Sequence, residues 1–182
     1  MAKFLRFIPF PAGLRNPEES MKDGVIKRRD LFREITLKTF TDDMKTRRFT
    51  SREMIGFFLT YFFGFFKDEQ VFAVFFDQKN RYAGMLHIQD GVLLVPSPLA
   101  ESIEKSGKEL GAASFVLAHN HPGVPAAPSA EDVLSTAAVR NYFDGTPLVF
   151  LDHFIISGND FSTMLTDTLW KKRYDGGRTA LF

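Results

Sequence analysis

The sequence predicts an α/β domain in which helices sandwich a mixed central β-sheet. Three observations predict it. Segments of helical period interleave with β-rich runs, the order that layered α/β domains require. Two of those runs are joined by a short turn and so form an antiparallel hairpin, while another is apolar throughout, as a strand covered on both faces must be. At 182 residues the chain is long enough for one such domain with a real core, plus an arm.

Residues 1–48 show no sustained period. Pro9, Pro11, Gly13 and Pro17 interrupt the start, and the mixed-charge stretch "VIKRRDLFREITLKTF" offers one short helix. This segment reads as a basic arm, and residues 49–182 as the domain proper. Thr50 and Glu53 have the spacing of a capping box, and apolar residues then run to Phe66, giving a first helix. "EQVFAVFFD" and "RYAGMLHIQ" flank "QKN" as a hairpin, after which Asp90-Gly91 turns the chain into "VLLVP". In "SPLAESIEKSGKELG", Leu99, Ile103 and Leu110 share a helical face and Gly111 stands where a C′ glycine belongs. "AASFVLA" reads as a buried strand ending at His119. A further helix runs from near Ser129 to about Phe143, and "PLVFLDHFIIS" supplies at least one more strand.

Composition excludes several chemistries. There is no cysteine, so disulfides, thiolate metal ligands and the Cys pair of zinc deaminases are all ruled out. Any metal must be held by His and carboxylate. The opening "MAKFLRFIPFP" is broken too early by Arg6 and two prolines for a secretory signal. The run "IGFFLTYFFGFF" is flanked by charges and falls short of the ~20 residues of a membrane span, so the chain reads as soluble and cytoplasmic. Net charge is only +1, yet unevenly spread: through Arg52 there are 13 Lys and Arg against 7 Asp and Glu, and afterwards 10 against 15. A basic segment therefore precedes an acidic body. Such asymmetry suits nucleic-acid contact, or a segment that lies on its own domain or mediates self-association, and the second is favoured.

The stretch "LAHNHPGVPAAPSAED" concentrates reactive groups. Side chains at i and i+2 of a strand share a face, so His119 and His121 at a strand end can share one metal. Pro122, Pro125 and Pro128 stop the strand from continuing, and the chain returns to a helix whose first turn carries Asp132. Two imidazoles and one carboxylate with an open fourth position make a catalytic zinc arrangement, in which the pKa of bound water falls to about 7. The same letters also suit a polar loop end followed by a helix with Ser129 as N-cap and an acidic first turn.

His119-x-His121, seven residues, Ser129, two residues and Asp132 resembles the JAMM motif of the MPN metallopeptidase family. "RRFTSREM", "EQVFAVFFDQKNR", the Gly91 turn, "ELGAASFVLAHNHP", "PSAED" and "LDHFII" resemble, in order, the bacterial RadC branch of that family, over roughly residues 47–160. The resemblance implies the MPN, cytidine deaminase-like fold and one zinc per chain on His119, His121 and Asp132. It further implies Glu69, in "KDEQVF", as general base, and Ser129 as the hydroxyl that stabilises the oxyanion. Asp152 and His153 match a RadC-like segment near the site, with a role behind the ligands or at a strand end rather than on the metal. His87, between Leu86 and Ile88, reads as a packing or surface histidine.

Three features depart from the family pattern. Residues 1–46 lack the paired helix-hairpin-helix elements usual before this domain, Gly123-Val124 stands where a Ser-Gly pair is usual, and Ser157 replaces a usual glycine. The expected function is a zinc-dependent peptidase or isopeptidase acting on a peptide or protein substrate, including ubiquitin-like conjugates. The alternative is a DNA-associated protein that uses the basic arm.

Overall fold

In a computed structural model of the chain, the described residues are 6–8, 44–64, 66–90 and 97–165. They form β1 (Arg6–Ile8), α1 (Arg52–Phe63), β2 (Gln70–Phe76), β3 (Tyr82–Asp90), α2 (Ser97–Glu109), β4 (Ser114–Asn120), α3 (Ala130–Phe143), β5 (Val149–Ser157) and β6 (Asp160–Thr163). The six strands make one sheet in the order β1-β3-β2-β4-β5-β6. Only β4 and β5 run parallel, and every other neighbouring pair is antiparallel. The mixed α/β sandwich expected from sequence is the architecture found. The short helix expected in the arm and the Gly91 turn into "VLLVP" lie outside the described residues.

Period-2 alternation divides the core into two layers. β2 and β4 are buried along their whole length. Phe72, Val74, Phe76, Val116 and Ala118 face α1, where Ile55, Phe58, Leu59 and Phe62 meet them. Val71, Ala73, Phe75, Phe115 and Leu117 face the other way, against Leu99 and Ile103 of α2 and Val139 and Phe143 of α3. One helix thus covers one face and two cover the other. β4, a central strand, carries its C-terminal end out between these layers, and that end is where the two histidines sit.

Local chemistry accounts for the element ends. The capping box expected on Thr50 and Glu53 gives way to a simple cap one residue later: Ser51 is the N-cap and accepts from the Met54 amide at 3.3 Å. The reason lies upstream, where Phe49 is buried and its amide donates to the Asn80 carbonyl at 2.7 Å, holding the chain extended through Thr50. α1 also stops at Phe63 rather than Phe66, with Gly64 as C-cap. α2 ends as expected at Gly111, whose φ of 61° only glycine adopts freely. Bonds from Ala112 to the Gly107 carbonyl and from Gly111 to the Lys108 carbonyl close a Schellman motif there. Asp77 organises the hairpin turn through its Oδ1, which accepts from the amides of Lys79 and Arg81.

Gly56, in mid-α1, is where β6 presses on the helix: a Cβ there would stand 2.3, 2.4 and 2.6 Å from three ring atoms of Phe161. Gly56→Ala gains about 1 kcal/mol of helix propensity and loses about 1–3 kcal/mol by overpacking. Because Phe161 is also held against Phe57 and Phe154, the steric effect is expected to win and lower the melting temperature by several degrees. A rise on thermal denaturation would contradict this packing.

β1 was not foreseen, because three residues are too few to carry a period. It pairs antiparallel with β3, Phe7 opposite Leu86. Deleting residues 1–45 bares the β3 edge, so the truncated chain is expected to melt lower and to self-associate more, since open edges template pairing. Calorimetry and light scattering check this, and an unchanged melting temperature and mass would show that β1 contributes nothing.

Candidate metal centre

His119 lies on β4 opposite Val71 and therefore faces the α2–α3 side of the sheet. His121 follows two residues later, kept in strand-like register by its amide bond to the Ile156 carbonyl at 2.7 Å. The two Nε2 atoms are 2.8 Å apart, the juxtaposition that strand spacing predicts. His119 is buried and His121 half-buried, so the pair opens to solvent on the His121 side.

The loop of residues 122–128 returns the chain to α3, where Ser129 is N-cap of a full capping box. The Asp132 amide donates to Ser129 Oγ at 3.1 Å, and Asp132 Oδ2 accepts from the Ser129 amide at 2.8 Å and from its hydroxyl at 2.7 Å. With Oδ2 so occupied, Oδ1 is the oxygen left to face His119 Nε2, at 3.3 Å. The capping reading and the metal reading of this stretch thus describe one geometry, in which the cap aims the carboxylate. Burial pushes the Asp132 carboxyl up, but the Ser129 hydroxyl and amide outweigh it and hold the group below its ordinary range.

Glu69 arrives from the segment before β2. Its carboxylate and the ligand nitrogens of His119 and His121 all lie within 4.8 Å of one another, a set that could hold a metal ion. Asn120, the residue between the histidines, makes this possible from the opposite face of β4. Its Oδ1 accepts from the Gln70 amide at 2.8 Å and its Nδ2 donates to the Asp68 carbonyl at 3.1 Å, clamping the chain on both sides of Glu69. Sequence reasoning missed Asn120. The available signal was a polar residue at a position where β4 alternation calls for a core side chain.

β5 supplies the back of the site through a bulge. Phe115 pairs with Phe150 but Val116 pairs with Asp152, so Leu151 is the extra residue and the facing of everything beyond it is reversed. Asp152 consequently faces α1, where it is fully buried, pairs with Arg52 Nε at 3.3 Å and accepts from the amides of Met164 and Leu165 at 3.1 and 2.9 Å. It clasps the chain after β6 and takes the strand role. His153 stands behind His119: its Nε2 is 2.8 Å from His119 Nδ1, and its Nδ1 is 2.7 Å from the hydroxyl of Thr136. His119, Asp132 and His153 form a second group whose ligand atoms fall within 4.8 Å, this one wholly buried. Burial lowers the pKa of His119 to about 4 against the pull of Asp132, and that of His153 to about 3, so both imidazoles are neutral at neutral pH.

Two of the departures from the family pattern touch each other, since Ser157 Oγ donates to the Val124 carbonyl and fastens the loop after His121 to β5. His87 packs its ring on Phe72 with centroids 4.8 Å apart, away from the site. A groove of about 460 Å³ beside α3, lined by Arg140, Asn141 and Asp144 among others, reaches Thr136 but none of Glu69, His119, His121 or Asp132. None of the helices among the described residues is long and apolar enough to cross a membrane.

A family model described as "RadC-like JAB domain" matches residues 49–169, which include every residue of the centre. UPF0758 protein lpl2409 of Legionella pneumophila (strain Lens) is 27% identical over 135 residues, covering 72% of this chain and 58% of that protein. UPF0758 protein GSU0386 of Geobacter sulfurreducens is 30% identical over 121 residues, covering 66% and 53%, and a UPF0758 protein of Janthinobacterium sp. (strain Marseille) is 36% identical over 95 residues, covering 52% and 42%. The chain spans about half the length of the curated relatives it matches.

Proposed function

Because the chain belongs to the RadC-like JAB domain family, we propose that it is a zinc-dependent peptidase or isopeptidase, with one zinc per chain, that hydrolyses an amide bond of a peptide or protein substrate. The observation that carries this reading is the convergence of Glu69, His119 and His121 within 4.8 Å at the open end of β4, beside the aimed Oδ1 of Asp132. The donor set suits zinc: imidazole nitrogen and carboxylate oxygen without thiolate, in the number that catalytic rather than structural sites use. Bound there, zinc supplies a water acidified to a pKa of about 7 and polarises the scissile carbonyl.

We assign the metal to His119, His121 and Asp132, and the proton to Glu69. The Glu69 carboxylate is half-buried and faces the histidine pair, where it takes the proton of the attacking water and delivers it to the leaving amine. Ser129 orients Asp132 as bonded here, and we assign its hydroxyl the further duty of stabilising the oxyanion, for which its single proton turns from Asp132 Oδ2 to the substrate oxygen. Metal analysis of the purified protein, with a cleavage screen against C-terminal fusions and isopeptide conjugates of ubiquitin-like modifiers, tests the proposal. Protein that neither retains nor takes up zinc would sink it.

A second reading, association with DNA, rests on a basic cluster at the hairpin end. Arg48 bridges to Arg81 and donates to the Lys79 carbonyl, so that Arg47, Arg48, Lys79 and Arg81 are exposed together, with Asp77 answering Arg81. DNA affinity that falls steeply with salt, and is lost with the basic segment, would favour this reading over the first.

A further inference from the structure

Thr136 stands one helical turn after Asp132 and is buried, with its hydroxyl in three contacts: the Asp132 carbonyl at 2.6 Å, His153 Nδ1 at 2.7 Å and the Met164 sulfur at 3.2 Å. A hydroxyl has one proton. A carbonyl can only accept, and an oxygen pair 2.6 Å apart without a proton between them would repel, so the proton lies toward the Asp132 carbonyl. The Thr136 oxygen must then accept from His153, which places that ring's proton on Nδ1.

His153 is fully buried, and its two nitrogens face a hydroxyl and another imidazole. Charge there would be desolvated with no carboxylate of the described residues in hydrogen-bonding reach, so the ring is neutral and its Nε2 is bare. His119 Nδ1, 2.8 Å away, must donate to it. The remaining nitrogen of His119, Nε2, is left with its lone pair directed at His121 Nε2 and Asp132 Oδ1, 2.8 and 3.3 Å away. The hydrogen bonds run from the backbone of one proposed ligand, through Thr136 and His153, to the ring of another.

We infer that Thr136 is a positioning residue of this centre: through His153 it holds His119 as the Nδ1–H tautomer and thereby selects Nε2 as the metal-binding atom. This rests on the zinc reading for its purpose, but the tautomer itself does not. It also decides between the two sets of ligand atoms, because a His153 nitrogen that accepts from His119 is not available to a metal. Sequence pattern offers no hint of Thr136, since a threonine seven residues past a capping serine is an ordinary helix residue.

The test uses the full chain, with histidine side-chain nitrogen NMR on the metal-free protein and competition titration with zinc. Wild type should show His119 protonated at Nδ1. Thr136→Val, which keeps the shape and removes the hydroxyl, should lose that single tautomer and bind zinc about 10- to 100-fold more weakly, the usual cost of losing a group that orients a ligand. Thr136→Ser should restore both, whereas a purely packing role would leave Thr136→Val nearer to wild type than Thr136→Ser. Zinc affinity unchanged in Thr136→Val, or wild-type His119 protonated at Nε2, overturns the inference. A wild type that binds no zinc overturns the metal reading instead, and the nitrogen shifts alone then decide the relay.

Discussion

His119→Ala and Asp132→Ala are each expected to bring zinc from about one per chain to none that survives dialysis, measured by elemental analysis. The argument is geometric. His119 Nε2 lies at the meeting point of the centre, within 2.8 Å of His121 and 3.3 Å of Asp132, so its removal leaves His121 and Asp132 3.8 Å apart with nothing between them. Asp132 is the carboxylate whose second oxygen is already fixed by Ser129, so no side-chain rearrangement is needed for it to serve as a ligand. The two variants differ in their cost to the fold. His119→Ala strips His153 Nε2 of its partner in a fully buried place, which costs about 1–3 kcal/mol even without metal. Asp132→Asn is the milder companion, because the amide oxygen can still accept from Ser129 while the charge is gone. Full zinc in both alanine variants would sink the ligand assignment. Zinc kept by Asp132→Ala but lost with Glu69 would exchange the roles of the two acids.

The same residues show what a sequence exposes and what it hides. The shared face of His119 and His121 follows from strand alternation alone, and Ser129 with Asp132 announces a helix start, so the local half of the centre was legible. The α/β sandwich was legible for the same reason, since β2, β3, β4, α1 and α2 carry local patterns and α3 announces itself by its cap. The capping site slipped by one because Thr50 and Ser51 are both hydroxyls, and only the distant bond of Phe49 to Asn80 chooses between them. Which of Asp152 and His153 turns toward His119 depends on a bulge at Leu151 that no period announces, since "VFLDHFIIS" carries apolar residues at both facings. Asn120 and Thr136 act on segments 50 and 17 residues away, through hydrogen bonds whose partners are set by tertiary packing. What was missed is thus the hydrogen-bonded support around the histidine pair.

Glu69→Gln is expected to leave zinc content and melting temperature nearly unchanged while lowering turnover by about 10²- to 10⁴-fold, the usual contribution of a general acid–base. An exposed acid at a helix end, beside Lys67 and Asp68, is the commoner fate of such a residue. Here it is half-buried and converges on the histidine pair, whereas Lys67 and Asp68 are exposed. The substitution is clean because, among the described residues, no backbone group bonds the Glu69 carboxylate. Its carbonyl accepts from Gln70 Nε2 at 2.9 Å, and Asn120 clamps the neighbouring Asp68 carbonyl and Gln70 amide, so glutamine inherits the same placement. Glutamine keeps a hydrogen bond to water but cannot take its proton. Turnover is read on the substrate that the conjugate screen identifies, with zinc measured in the same preparations. Zinc lost together with activity would make Glu69 a ligand rather than a base. Hydrolysis at the wild-type rate with zinc in place would refute the mechanism and leave the metal centre without its proton carrier.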